Sequence, residues 1–274
     1  MVKDSEVVSN SKSEDYYIMV IKSAMNMPGV RINRGDYLRT ALKNHVKPEV
    51  IEQAIRNNPA SAGIPLKTID KIAKAAIRTE TTRVTAISAA AGVPGGFAMA
   101  GTLPADLVQY FGHVIRILQK QVYLYGWKEM YNTDEGFDDE TMVQLTLFLG
   151  VMFGVHAAGG AIGQIVKVAA PKIEKDIAAR ALTKGVVYPV VKKVATRLGF
   201  KMTKQAFARG VSKAVPIIGA VTSGGVTYAT FKPLSSRLQN YLNKLPIADP
   251  DFYKDIDNYE FDESEIIDVG IEED

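Results

Sequence analysis

Three stretches of this 274-residue chain carry no formal charge: residues 84–105, 141–166 and 214–231. Apolar runs of that length must leave water, either for a protein core or for a bilayer, because burying apolar surface is the main favourable term in folding. A membrane-crossing helix needs about 20 apolar residues, so length alone fits both destinations. The first run is interrupted by Pro94, Gly95, Gly96 and Pro104, and the third by Pro216, Gly219, Gly224 and Gly225. Proline removes a helix hydrogen bond and glycine weakens a helix interior, so both runs read as broken helical hairpins or packing elements. The second run holds no proline and concentrates Leu145, Leu147, Phe148, Leu149, Val151, Met152, Phe153 and Val155, so it reads as the one uninterrupted span. Its Gly150 and Gly154, then Gly159 and Gly163, form two small-xxx-small pairs of the kind that lets helices approach closely. The same spacing serves a lipid-facing or pore-lining helix and a central helix buried in a soluble bundle.

Outside these runs the chain is charged, and the average is unremarkable: mean hydropathy is -0.01 and 47% of residues are hydrophobic. The membrane signal therefore lies in the distribution alone. Cysteine is absent, which excludes disulfides and thiolate-based metal or redox sites. The opening residues are polar and charged with no apolar h-region, so no signal peptide is expected and the chain is predicted to start in the cytosol.

Helical periodicity dominates the remainder. Ile69, Ile72, Ala73, Ala76 and Ile77 mark one apolar face, with Lys67, Asp70, Lys71, Lys74 and Arg78 around it. Leu107, Phe111, Val114, Leu118 and Val122 mark another, in a helix ending near Tyr125-Gly126. Pro48 suits the first turn of a helix, and Asp138-Asp139-Glu140 places negative charge where a helix N-terminus favours it. No alternating strand pattern occurs. The expected fold is all-α, a multi-helix bundle with Gly-rich broken hairpins and no significant β-sheet. Residues 1–65 form an arm and short helices, with order beginning near Ser13; residues 66–245 form the main helical domain; residues 246–274 form an acidic tail expected to be disordered until bound.

Charge is strongly segregated beneath a net +3. From Lys167 to Lys213 there are twelve Lys/Arg against Glu174 and Asp176, whereas after Pro246 twelve Asp/Glu face Lys254 alone. Residues 167–213 read as several short amphipathic helices broken at Gly185, Pro189 and Gly199. Lys192, Lys193, Arg197, Lys201, Lys204, Arg209 and Lys213 are the candidate phosphate-binding residues, suited to a nucleic-acid backbone or an anionic lipid. Tyr188, Phe200 and Phe207 are the few aromatics there, so base stacking is expected to be minor. The tail can supply solubility, or dock on the basic block.

Catalysis is not expected. His45, His113 and His156 are far apart, and His113 and His156 sit in core-like segments where a packing role fits better than a base or metal ligand. Asp106, just after Pro104, suits a helix start. No metal spacing, phosphate-binding glycine loop or nucleophile elbow is present, and neither cofactor nor metal is predicted.

Several words of the chain occur in a telling order: Ala91-Gly92-Val93-Pro94-Gly95-Gly96, Leu103-Pro104-Ala105-Asp106-Leu107-Val108-Gln109 and Tyr123-Leu124-Tyr125-Gly126. They are followed by Leu147-Phe148-Leu149-Gly150-Val151-Met152-Phe153-Gly154, Ala181-Leu182-Thr183-Lys184-Gly185, Lys201-Met202-Thr203-Lys204-Gln205 and Thr227-Tyr228-Ala229-Thr230-Phe231-Lys232-Pro233. From about Ile69 to Leu245 the chain resembles the bacterial EcsC-like family. That resemblance implies a helical, membrane-associated protein. It also points to one branch, the channel effectors of Hailong-type anti-phage systems, in which a partner nucleotidyltransferase makes DNA oligomers that hold a multimeric effector inactive. The resemblance thus implies a homo-oligomer, such as a tetramer, that binds a single-stranded DNA oligomer, cytoplasmic when inactive and in the inner membrane when active. The alternative is a non-enzymatic scaffold or regulator of a membrane transport or processing complex.

Overall fold

The computed structural model describes residues 2–91, 105–131, 138–169, 187–202 and 224–254. Among them are nine α-helices and no strand: α1 (Val2–Met25), α2 (Arg34–Leu42), α3 (Pro48–Arg56), α4 (Leu66–Ala91), α5 (Ala105–Leu124), α6 (Asp139–Met152), α7 (His156–Ala169), α8 (Val187–Met202) and α9 (Gly224–Leu242). Two short 3-10 turns, Pro246–Ala248 and Pro250–Tyr253, follow. The all-helical bundle is as expected.

α5 is the axis. Val114, Ile115, Ile117, Leu118, Val122, Tyr123 and Leu124 are all buried, so this helix is covered on nearly every side. It packs against α1, α2, α4, α6 and α9. Its buried Gln119 is accommodated because its amide donates to the Val30 and Ile115 carbonyls and accepts from the Ile32 N–H, which ties the α1–α2 loop to the core. α1 lies against α8 and α5, while α9 lies against α4, α5 and α6.

Helix boundaries follow local chemistry. Pro48 is the first residue of α3, and the Asp138 carboxylate accepts the Thr141 N–H at 2.8 Å to cap α6. The far end of α3 is capped from a distance. Arg34, with its side chain buried, donates Nη1 to the Ile55 carbonyl and Nη2 to those of Ala54 and Asn57, while its Nε reaches the Trp127 carbonyl. A guanidinium thereby satisfies carbonyls that a helix C-terminus leaves unpaired.

Four expectations need correction. Residues 141–166 are not one span: α6 stops at Met152 and α7 starts at His156. The Val155 N–H bonds to the Gly150 carbonyl at 2.8 Å and the Gly154 N–H to that of Val151 at 3.1 Å, with Gly154 at φ 76°. This is a Schellman stop, and Gly154 is the residue that permits its left-handed turn. Helix α1 begins at Val2 rather than near Ser13; no Pro or Gly interrupts residues 2–25, so the packed C-terminal half propagates backwards at little cost. Helix α9 runs from Gly224 straight through Pro233, so that part of 214–231 continues into the last helix; Pro233 is exposed, and the buried Phe231, Ser235 and Leu238 hold the helix on the core. Finally, the acidic tail does not begin at Pro246: Ile247 and Phe252 are buried, and the Tyr253 hydroxyl bonds to Asn58 and the Ile247 carbonyl. The hairpin expected over 84–105 falls largely outside the described residues, as does 214–223.

Candidate functional site

The two candidate clusters turn out to be two layers of one region. In α8, Val191, Val194, Ala195 and Leu198 are buried and Lys192, Lys193 and Arg197 are exposed, the three cations falling within about 140° of the helix circumference. Lys201 lies on the last turn of α8, and Lys204, Arg209 and Lys213 lie outside the described residues. Pro189 sits in the first turn of α8 and Gly199 within it, so neither breaks the helix. Gly199 is instead a contact point: a Cβ there would coincide with the Ser13 carbonyl of α1.

Beneath α8 lies the hairpin of α6 and α7, which is uncharged from Thr141 to Val166. Leu145 and Phe148 are fully buried, and the Phe148 ring meets Trp127 edge-on at 4.9 Å. Phe153 stacks on Phe111 at 5.9 Å, in the turn that Gly154 makes possible. A Cβ built on Gly150 would stand 2.6 Å from the Ala158 Cβ and 3.0 Å from Val194, so this glycine is where α6, α7 and α8 cross. The Gly159 carbonyl accepts the Tyr241 hydroxyl at 2.7 Å, which locks α7 to α9. Gly163 is buried, with no described atom within 4 Å of where its Cβ would be. Arg237 of α9 donates to the Met152 carbonyl at 2.8 Å, placing a cation at the C-terminal end of α6. Of the four glycines proposed for close helix approach, Gly150 and Gly159 make that approach inside this bundle, Gly154 ends α6 and Gly163 has no close neighbour among the described residues. Among the described residues, no helix is long and apolar enough to cross a membrane.

A charged cluster that the sequence reading passed over lies between α4 and α5. The Glu80 side chain is fully buried; Lys120 Nζ is 2.7 Å, Arg116 Nε 3.0 Å and His113 Nδ1 3.3 Å from its oxygens. Burial by itself would push this carboxyl up, but the hydrogen bonds from His113 and Lys120 and the charges of Lys120 and Arg116 outweigh it and hold the group well below the usual carboxylate range. The signal was present in sequence: Glu80 continues the apolar register of Ile69, Ile72, Ala73, Ala76 and Ile77, and His113, Arg116 and Lys120 share one face of α5. His113 is therefore a hydrogen-bonding partner of Glu80 as well as a packing residue. A second seam joins α4, α5 and α9: the Asp70 carboxylate accepts the Tyr125 hydroxyl at 2.5 Å and the Asn243 amide at 2.8 and 2.7 Å. Burial, then this hydrogen bond to a carboxylate, push the Tyr125 hydroxyl far up.

Chemically, the Glu80 and Asp70 carboxylates are engaged by donors on neighbouring helices, an arrangement that clamps helices together. Among the described residues no group of three or more His, Cys, Asp or Glu is placed to hold a metal ion. Compared with family models, with curated proteins and with solved structures, the chain matches none.

Proposed function

We propose that this chain is a membrane-active, channel- or pore-forming effector of bacterial anti-phage defence, stored in a closed helical bundle and held there by an anionic DNA oligomer on the basic face of α8. One observation carries the reading: the uncharged part of the α6–α7 hairpin, residues 141–166, is packed directly under α8, with Val194 of the inner face of α8 against Gly150 while Lys192, Lys193 and Arg197 are exposed. A polyanion bridging those cations pins α8 down, and through it the hairpin. Such a ligand acts by binding the closed state more tightly than the open one. The resemblance of the chain's sequence words, in their order, to EcsC-like proteins supports the same reading, and with it a homo-oligomer, a partner nucleotidyltransferase that acts indirectly through its product, and transfer from cytoplasm to inner membrane on activation.

The test is ion release from liposomes loaded with an ion-sensitive dye, before and after nuclease treatment of the purified protein. Release after nuclease is the expected result; no release under any activating condition refutes the proposal. The second reading, a non-enzymatic membrane-associated scaffold or regulator, draws on helix length: α6 and α7 have 14 residues each, about 21 Å, against roughly 30 Å of bilayer core. Conductance across a planar bilayer separates the two, because a scaffold gives none.

A further inference from the structure

The most one-sided surface of the described residues is not on α8 but on α4. Lys67, Lys71, Lys74 and Arg78 are all exposed, and their spacing of four, three and four residues puts them on one line along the helix, within about 60° of arc. The line is about 16 Å long at 1.5 Å per residue. None of the four pairs with a carboxylate among the described residues. The two acidic residues within this part of α4 are both engaged elsewhere, Asp70 by Tyr125 and Asn243, and Glu80 by His113, Arg116 and Lys120. α9, which packs beside α4, has no Asp or Glu at all. Glu80 is offset by its own cations, whereas Asp70, bonded only to uncharged groups, keeps its charge beside Lys67 and Lys71; the line of four cations spaced roughly 5–6 Å apart therefore carries a net excess of three positive charges, which suits an extended polyanion.

We infer that this polyanion is the chain's own C-terminal segment, residues 255–274, lying along the α4 stripe. Charge is the first reason: those residues contain ten Asp/Glu and no Lys or Arg. Position is the second. The segment leaves the folded body beside the start of α4, because Tyr253 is bonded to Asn58, Ile247 lies against Gly126, and Asn243 is bonded to Asp70, which stands between Lys67 and Lys71. From Lys254, the eight residues to Asp262 reach up to about 26 Å, and Asp262, Glu263, Glu265 and Asp268 then offer four carboxylates in a length that matches the stripe. Tethering is the third, since a short linker gives an effective concentration of about a millimolar, which an equally charged free ligand must outcompete. The exposed residues flanking the stripe, Ala75, Thr79, Thr82 and Ala86, offer neither an aromatic ring for stacking on bases nor a large apolar group for entering a bilayer, so a tethered acidic peptide fits better than a nucleic acid or lipid surface. This inference does not depend on the function proposed above; it assigns the acidic segment to α4 rather than to α8.

Zero-length carbodiimide coupling of the full chain, read by peptide mass spectrometry, tests it. The expected products are intrachain links from Lys67, Lys71 or Lys74 to carboxylates in residues 255–274, reduced several-fold in about 1 M salt, where the screening length falls to roughly 3 Å. In parallel, the fourfold variant Asp262→Asn, Glu263→Gln, Glu265→Gln, Asp268→Asn should raise the rate at which an amine-acetylating reagent modifies Lys71 and Lys74 at least threefold, leaving Lys192 unchanged. Four results would each overturn the inference: tail links to Lys192 or Lys193 in place of the α4 lysines; links found only between two copies; acetylation of Lys71 and Lys74 unaltered in the variant; or protection of those lysines that nuclease, rather than tail neutralisation, removes.

Discussion

Replacing Glu80 by Gln keeps the shape of the side chain and removes its charge, leaving Lys120, Arg116 and His113 gathered around an amide. Breaking a buried ion pair from one side costs about 3–5 kcal/mol when the surviving partner has no route to water. Here the side chains of Lys120 and Arg116 retain 12% and 22% of their exposure, so they regain part of their hydration, and the amide oxygen still accepts one hydrogen bond. A loss of about 2–3 kcal/mol at pH 7 follows. Urea unfolding is the assay; with a slope of about 3 kcal/mol per molar, the midpoint should fall by roughly 0.7–1 M. The pH dependence gives an independent check. The native carboxyl titrates below its unfolded counterpart, so its contribution is complete above the unfolded value of 4.5 and is lost as pH falls through the native one. The gap between wild type and Gln should therefore shrink by up to about 1.4 kcal/mol per pH unit as pH falls below the unfolded value of 4.5. Equal stability at pH 7, or a gap that widens below pH 4.5, would refute the reasoning.

Other substitutions probe the packing and the proposed ligand face. Gly150→Ala gains up to about 1 kcal/mol of helix propensity but forces α6, α7 and α8 apart, so a net loss of about 1–2 kcal/mol is expected in the same urea assay, and more for Gly150→Val. Tyr17→Phe strips the buried Thr146 hydroxyl of its 2.8 Å partner and should cost about 1–2 kcal/mol, whereas Tyr17→Phe with Thr146→Val should recover most of it, since neither polar group then remains. Arg34→Ala uncovers the carbonyls at the end of α3 and should cost at least about 3 kcal/mol, with amide exchange rising first in α2 and α3. Lys192→Glu, Lys193→Glu and Arg197→Glu together should abolish binding of a fluorescent single-stranded oligonucleotide by anisotropy, with unfolding midpoints unchanged; retained affinity would remove α8 as the ligand face.

The helices and the inward faces of α4 and α5 were legible because 3.6-residue periodicity is a local property. Caps made by adjacent residues, such as Pro48 and Asp138, were legible for the same reason. What escaped depended on distant partners. Nothing near Pro233 announces that Phe231 and Leu238 will hold a helix straight through it. Gly154 was read as half of a packing pair with Gly150, although Gly150 is the packing glycine and Gly154 the stop; the two roles share a spacing and differ only in backbone angle. Of the basic cluster, the pattern found Lys192, Lys193 and Arg197 on an exposed face, but it treated the four cations of α4 as an ordinary solvated surface. Recognising them required seeing that Glu80 is spent on the cations of α5, which leaves Asp70 as the one acidic neighbour of the line.

The seating of α1 on α8 has a consequence for how the chain is made. Gly199 admits the Ser13 carbonyl so closely that no other residue type fits, so α1 completes its packing only against a helix made more than 160 residues after it. At about 5–20 residues per second, the wait between Met25 and Gly199 is roughly 10–35 s. Throughout it, the flank of α1 that α8 will cover is not yet covered by that helix. Synthesis is thus an interval in which this flank is open to capture by a chaperone or by the wrong surface.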